Sequence, residues 1–185
     1  MKIRFFILSG LIALAVTSCN INGSSNSTPE IYFVTNPFVS NSDTLNRYRT
    51  DDPSVFRMDT IHVGDTVTFR LLLYGYTNNL TNYYVTQSDT SSTKVLLPTV
   101  NSLDSVFMSS ASDYSKGKFV FKSKITSLYF PFKYIAKKVS NDAKISFSLV
   151  SDANFSSTNG LGNSSVSFVL TTPIKARKVV ALVKR

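Results

Sequence analysis

The sequence predicts an all-β protein: an antiparallel two-sheet β-sandwich of immunoglobulin-like size. Three observations carry that expectation. Glu30 is the sole glutamate and Ala or Leu runs are few, so the residues that build helices are scarce. Fourteen Phe and nine Tyr, with many β-branched residues, instead suit a pleated and half-buried surface. Apolar and polar side chains also alternate with period two in short segments, giving each strand one buried and one wet face.

From the N-terminus, the first segment is not part of that domain. Lys2 and Arg4 precede an apolar stretch from Phe5 to Val16, and Thr17 and Ser18 lead into Cys19, the only cysteine of 185 residues. A basic head, an apolar middle and small residues at a cut are the layout of a secretory signal, here residues 1–18. The apolar run falls short of the roughly twenty residues a spanning helix needs. Val16-Thr17-Ser18-Cys19 resembles the bacterial lipobox, in which the cysteine thiol becomes a diacylglyceryl thioether after cleavage. Cys19 is therefore expected to be a lipid anchor in the outer membrane, its acyl chains each contributing about 0.8 kcal/mol per buried methylene. The remaining chain contains no thiol, which excludes disulfides, Cys-ligated metals and a Cys nucleophile. Asn20 is not the Asp that marks inner-membrane retention, and no acidic residue follows the cysteine before Glu30. The periplasmic or surface face is left open. Residues 19–30, rich in Ser, Asn and Gly, read as a flexible tether.

Residues 31–185 read as one domain, without internal repeats and large enough for a sizeable core. The full chain carries +9, and subtracting the charges of Lys2 and Arg4 leaves seven. Strand candidates follow in order: IYFVT (31–35), DTIHV (59–63), TVTFRLLLY (66–74), NYYVTQ (82–87), TKVLLP (93–98), GKFVFKS (117–123), SLYFPFKYI (127–135), KISFSLVS (144–151) and SVSFVLT (165–171). In the longest, Val67, Phe69, Leu71 and Leu73 share a face opposite Thr66, Thr68 and Arg70. Turns are expected at Val63-Gly64-Asp65, at Ser140-Asn141-Asp142 and in NGLGNSS (159–165). Pro131 makes its strand an edge strand or breaks it. No amphipathic helix is expected. The C-terminal KARKVVALVKR is either a last strand, Val179 to Val183, guarded by basic residues, or a tail for anionic surfaces.

The order of signals from Ser112 onward adds a lineage. ASDYSKGKFVF, then Phe130-Pro131-Phe132, a basic loop, and a strand ending Ser151-Asp152-Ala153-Asn154-Phe155 resemble the β-sandwich domains of Bacteroidota lipoproteins with no assigned activity, some related to Calx-β modules. The resemblance covers the C-terminal third and the lipobox, and implies an immunoglobulin-like or Calx-β-like fold. Calx-β loops hold Ca²⁺ through clustered carboxylates. Asp142 and Asp152 are instead expected at opposite ends of a strand, Asp142 as a turn former, so no metal or other cofactor is expected.

Catalysis has little to work with. His62 is the sole histidine, on a predicted strand and without a nucleophile elbow nearby. Asp51 and Asp52 are adjacent loop acids. The chain is therefore expected to be a non-catalytic binding module for carbohydrate or peptide, or alternatively a structural or assembly partner of another envelope protein. Export argues against nucleic acid. The segment YGYTNNLTNYY (74–84) is the candidate ligand site, with Tyr74, Tyr76, Asn79, Tyr83 and Tyr84 as contacts. Tyrosine faces stack on sugars or extended peptides, and Asn amides both donate and accept. The competing reading is a tyrosine-rich strand with NNLTN as its hairpin connection.

Overall fold

The strands expected from alternation form two facing sheets in the computed structural model, which describes residues 26–39, 43–156 and 162–177. The signal segment, Cys19 and the last strand proposed for Val179 to Val183 lie outside the described residues. The first sheet runs β3 (Asp43–Thr44), β2 (Phe38–Val39), β7 (Thr66–Tyr74), β11 (Ser127–Ala136), β9 (Thr93–Leu96), with β1 (Glu30–Phe33) also paired to β7. The second runs β10 (Lys118–Val120), β8 (Leu80–Gln87), β12 (Ser140–Ser151), β13 (Ser165–Lys175), β5 (Val55–Met58), β4 (Arg47–Arg49), with β6 (Ile61–His62) also on β13. This is the expected two-sheet β-sandwich.

Period-two patterning decides what fills it. Val67, Phe69, Leu71 and Leu73 are wholly buried, as are Ile145, Leu149 and Leu170. Rings from the two sheets interdigitate: Phe69 stacks on Phe132 within the first sheet, with centroids 4.8 Å apart, and Phe147 on Phe168 within the second at the same spacing. Phe147 also meets Phe69 across the gap at 6.4 Å. Burying such side chains contributes about 25 cal/mol per Å² of apolar surface, so this aromatic layer dominates stability.

Four details depart from the sequence reading. Most pairings are antiparallel, but β13 runs parallel to both β5 and β6. Ser140-Asn141-Asp142 is not a turn: the register slips between Ser140 and Ala143 inside β12, a bulge that leaves Asn141 and Asp142 exposed. Helix α1 (Val100–Val106) and a 3-10 turn at Tyr114–Lys116 are present although no helix is expected. Within α1 only Leu103 is buried, so the segment carries no legible helical stripe. Finally, β11 continues unbroken through Pro131.

The geometry around Pro131 explains its tolerance. Pro131 pairs with Arg70 of β7, and the Arg70 carbonyl accepts from the Val34 amide, away from β11. The Pro131–Arg70 pair is therefore a non-hydrogen-bonded one, and the proline nitrogen points away from β7. On that side β9 pairs only with Lys133–Ala136, so no strand lies opposite. Pro131 sits at a local edge, where no ladder bond is lost.

Candidate functional site

The outer face of the first sheet follows from register alone. Side chains in direct pairs point the same way, so Glu30, Tyr74 and Ser127 form one row, and Tyr32, Leu72 and Tyr129 the next. Arg70 and Pro131 form the third, Thr68, Lys133, Leu96 and Phe38 the fourth, and Thr66, Ile135 and Lys94 the fifth. Tyr32, Val34, Leu96 and Tyr129 are four of the eight large apolar or aromatic side chains that stand exposed among the described residues.

At one end of this face four tyrosines gather. The rings of Tyr74 and Tyr76 lie 4.3 Å apart, and the hydroxyls of Tyr76 and Tyr32 are hydrogen-bonded at 2.9 Å. Tyr129 stands across Leu72 from Tyr32 and is 49 % exposed. The Glu30 carboxylate, hydrogen-bonded to the Tyr76 hydroxyl, raises its pKa above the usual value. Tyr76 holds φ at 59°, a left-handed conformation that costs a non-glycine residue about 1–2 kcal/mol. The turn that imposes it is closed by the Asn78 amide donating to the Gly75 carbonyl. Lys124, at φ 67°, is the other non-glycine residue in the left-handed region among the described residues.

The five residues singled out from the sequence do not make one site. Tyr74 and Tyr76 belong to the cluster just described. Asn79 is engaged elsewhere: its backbone and side-chain amides donate to the two carboxylate oxygens of Asp152 at 2.8 and 2.7 Å. Tyr83 is a core residue with no exposed surface, packed against Phe119 and edge-on to Phe130. Burial pushes its hydroxyl pKa well above the ordinary value. Tyr84 points out of the other sheet, into a shallow hollow of about 200 Å³ beside Ser146, Ser148 and Ser167. Adjacent strand residues must face opposite ways, so Tyr83 and Tyr84 could never share a surface. Tyr32 and Tyr129 were missed, although each occupies the outward phase of its strand, between Ile31 and Phe33 and between Leu128 and Phe130.

The clamp on the N-terminal segment lies at the same end. The Asn78 side chain donates to Asn26 Oδ1 at 3.0 Å and accepts from the Ser27 amide, while Asn26 Oδ1 also accepts from the Asn154 amide. The segment expected to be loose from 19 to 30 is thus docked from Asn26 onward. Six residues lie between Cys19 and Asn26, and seven extended steps reach at most about 25 Å.

Elsewhere His62, Asp65, Asp52, Asp142 and Asp152 are engaged structurally. His62 is exposed, and its Nδ1 lies 3.8 Å from Asp65. Asp65 accepts from the His62 backbone amide at 2.8 Å and pairs with Arg177, which fits a turn cap. Asp52 accepts from the hydroxyl of Ser54 and, to a smaller effect, from its amide, which lowers its pKa. Asp142 pairs with Lys144, and Asp152 with Asn79, so the two acids are committed at opposite ends of β12.

No family model matches the chain, and no curated protein matches it. Similar solved structures include a secreted serine protease, VesC, from Vibrio cholerae, at 14 % identity and a TM-score of 0.34. The match covers 70 % of this chain and 23 % of that one. A PapD-like domain of human CEP192 matches at 10 % identity and a TM-score of 0.37, covering 83 % of this chain and 89 % of that one. A DUF4466 family protein from Parabacteroides merdae matches at 13 % identity and a TM-score of 0.37, covering 78 % and 44 %. This chain thus spans under a quarter of the protease and under half of the Parabacteroides protein.

Proposed function

We propose that the chain is a lipid-anchored, non-catalytic carbohydrate-binding module of a bacterial outer membrane, of the Bacteroidota lipoprotein type, held by a thioether on Cys19. One observation carries the reading: Tyr32, Tyr74, Tyr76 and Tyr129 share one exposed sheet face, and a strained turn holds one of them in place. Tyrosine faces cover the apolar C–H faces of sugar rings, and their hydroxyls exchange hydrogen bonds with sugar hydroxyls. Rings already held by contacts, as Tyr74 and Tyr76 are, lose little conformational freedom on binding. The clamp at Asn26 keeps this end within reach of the membrane that Cys19 would enter.

The test is the double variant Tyr32→Ala, Tyr129→Ala in the full chain, assayed by retention on immobilised cell-wall glycans. Both side chains are substantially exposed, so the melting temperature stays within a degree or two of the parent while retention falls at least tenfold. Retention equal to the parent removes this face from the reading. A matching fall in stability would show that the two rings support the fold.

A further inference from the structure

We propose that the glycan bound on this face is an anionic polysaccharide. The inference rests on the sheet-face reading above and specifies its ligand. Its ground is a diagonal stripe that the strand register builds across the sheet. Lys94 on β9 lies in the row of Ile135, Lys133 on β11 in the next, Arg70 on β7 in the next, and Tyr32 on β1 in the one after. Each step crosses one strand and advances one row, so successive side chains stand roughly 7–8 Å apart at their bases. Three consecutive positions carry a positive charge, and the fourth opens into the tyrosine cluster.

These cations are uncommitted. Lys94, Lys133 and Arg70 are exposed, and none of them is in an ion pair among the described residues. Arg70 has only the Phe38 ring beneath its guanidinium, at 5.1 Å. Lys116, Lys144 and Arg177 each face a carboxylate, while Arg57, Lys118 and Lys175 are unpaired as well among the described residues, so what sets Lys94, Lys133 and Arg70 apart is their alignment by register. Glu30, the one acid in the five rows, lies in the row farthest from Lys94. A chain laid along the diagonal would meet aromatic rings at one end and a line of positive charge along the rest. The planar fork of Arg70 can take two oxygens of a carboxylate or sulfate, and the lysines supply compact charges at adjacent positions. A neutral glycan would leave all three unanswered.

The experiment compares two matched pairs of polymers, each sharing a backbone and differing in charge. These are polygalacturonate with its methyl ester, and dextran sulfate with dextran, offered to the detergent-purified full chain. Binding to each charged member is expected to be at least tenfold tighter than to its neutral counterpart, and to weaken as salt is raised. The triple variant Arg70→Gln, Lys133→Gln, Lys94→Gln loses that preference at an unchanged melting temperature. The charge-conserving Arg70→Lys, Lys133→Arg, Lys94→Arg keeps it. A control triple of equal charge change on the other sheet, Arg57→Gln, Lys118→Gln, Lys175→Gln, also keeps it.

Equal loss in the control triple means general attraction to a basic protein and overturns the proposal. So does equal binding within each pair, binding to neither charged member, or tighter binding to polyaspartate or phosphatidylglycerol vesicles. Charge-blind binding that the Tyr32, Tyr129 double variant still abolishes would overturn the anionic ligand alone and leave the sheet-face reading standing. Binding that neither variant set alters would remove both.

Discussion

The hydroxyl of Tyr83 is enclosed between the sheets without a hydrogen-bond partner among the described residues. A buried polar group left unsatisfied costs about 1–3 kcal/mol, so Tyr83→Phe should stabilise the fold by about 1 kcal/mol in urea denaturation. Tyr83→Ala removes the ring between Phe119 and Phe130 and should cost about 3–5 kcal/mol. A ligand-contacting Tyr83 would show neither effect. Tyr76 makes the opposite case. Its left-handed backbone is one that asparagine tolerates, so Tyr76→Asn should leave the melting temperature equal or higher while glycan retention falls. A large drop in melting temperature would mean that the ring contacts with Tyr74 and Tyr32 hold the turn. That Tyr83 and Tyr84 face opposite ways was legible in the sequence, because adjacent strand residues alternate; that Tyr83 is the one in the core was not. The gathering of Tyr32, Tyr76 and Tyr129 was not, because three separate segments supply them.

At the scale of elements, two glycines with positive φ separate conformational need from space. Gly117 joins the 3-10 turn to β10 at φ +67°, and a Cβ there would lie 1.9 Å from the Val85 carbonyl oxygen. Gly64 opens β7 at φ +92° with open space around it. Gly64→Ala therefore pays only the backbone term of about 1–2 kcal/mol, while Gly117→Ala must also displace β8 from β10 and costs more. Comparable chemical-denaturation midpoints for the two variants would contradict this packing. The long strands β7, β11, β12 and β13 were readable because alternation over many residues leaves one buried face. The short segments β2 to β5 were not, since two to four residues carry no period, whereas β6 falls within the expected DTIHV strand. Their pairing with β7 and β13 comes from neighbours distant in the chain. The same applies to Asn141 and Asp142: their turn-forming chemistry also suits a bulge, and only the partner strand selects between the two.

For the whole molecule, alkaline pH offers a global test. Burial raises the Tyr83 hydroxyl well above its ordinary value, and the Tyr134 hydroxyl to about 12. Above pH 10 the unfolded chain releases these protons while the native chain retains them, so stability present below pH 10 falls as pH rises towards 12. Tyr83→Phe should flatten that fall by one proton, measured as urea midpoint against pH; an unchanged slope would mean that Tyr83 is not the enclosed group. Anchoring is tested at the same scale: Cys19→Ser should move the chain from the membrane fraction to the soluble one, and persistence in the membrane would reject the lipid. The sequence by itself determined that the chain is all-β and which long strands bury which residues, because composition and period are local properties. Only the tertiary structure decided the parallel pairing of β13, the docking of Asn26, and the diagonal from Lys94 through Lys133 and Arg70 to Tyr32. Those depend on strand register, which joins residues far apart in the chain and is set by the packing of the two sheets.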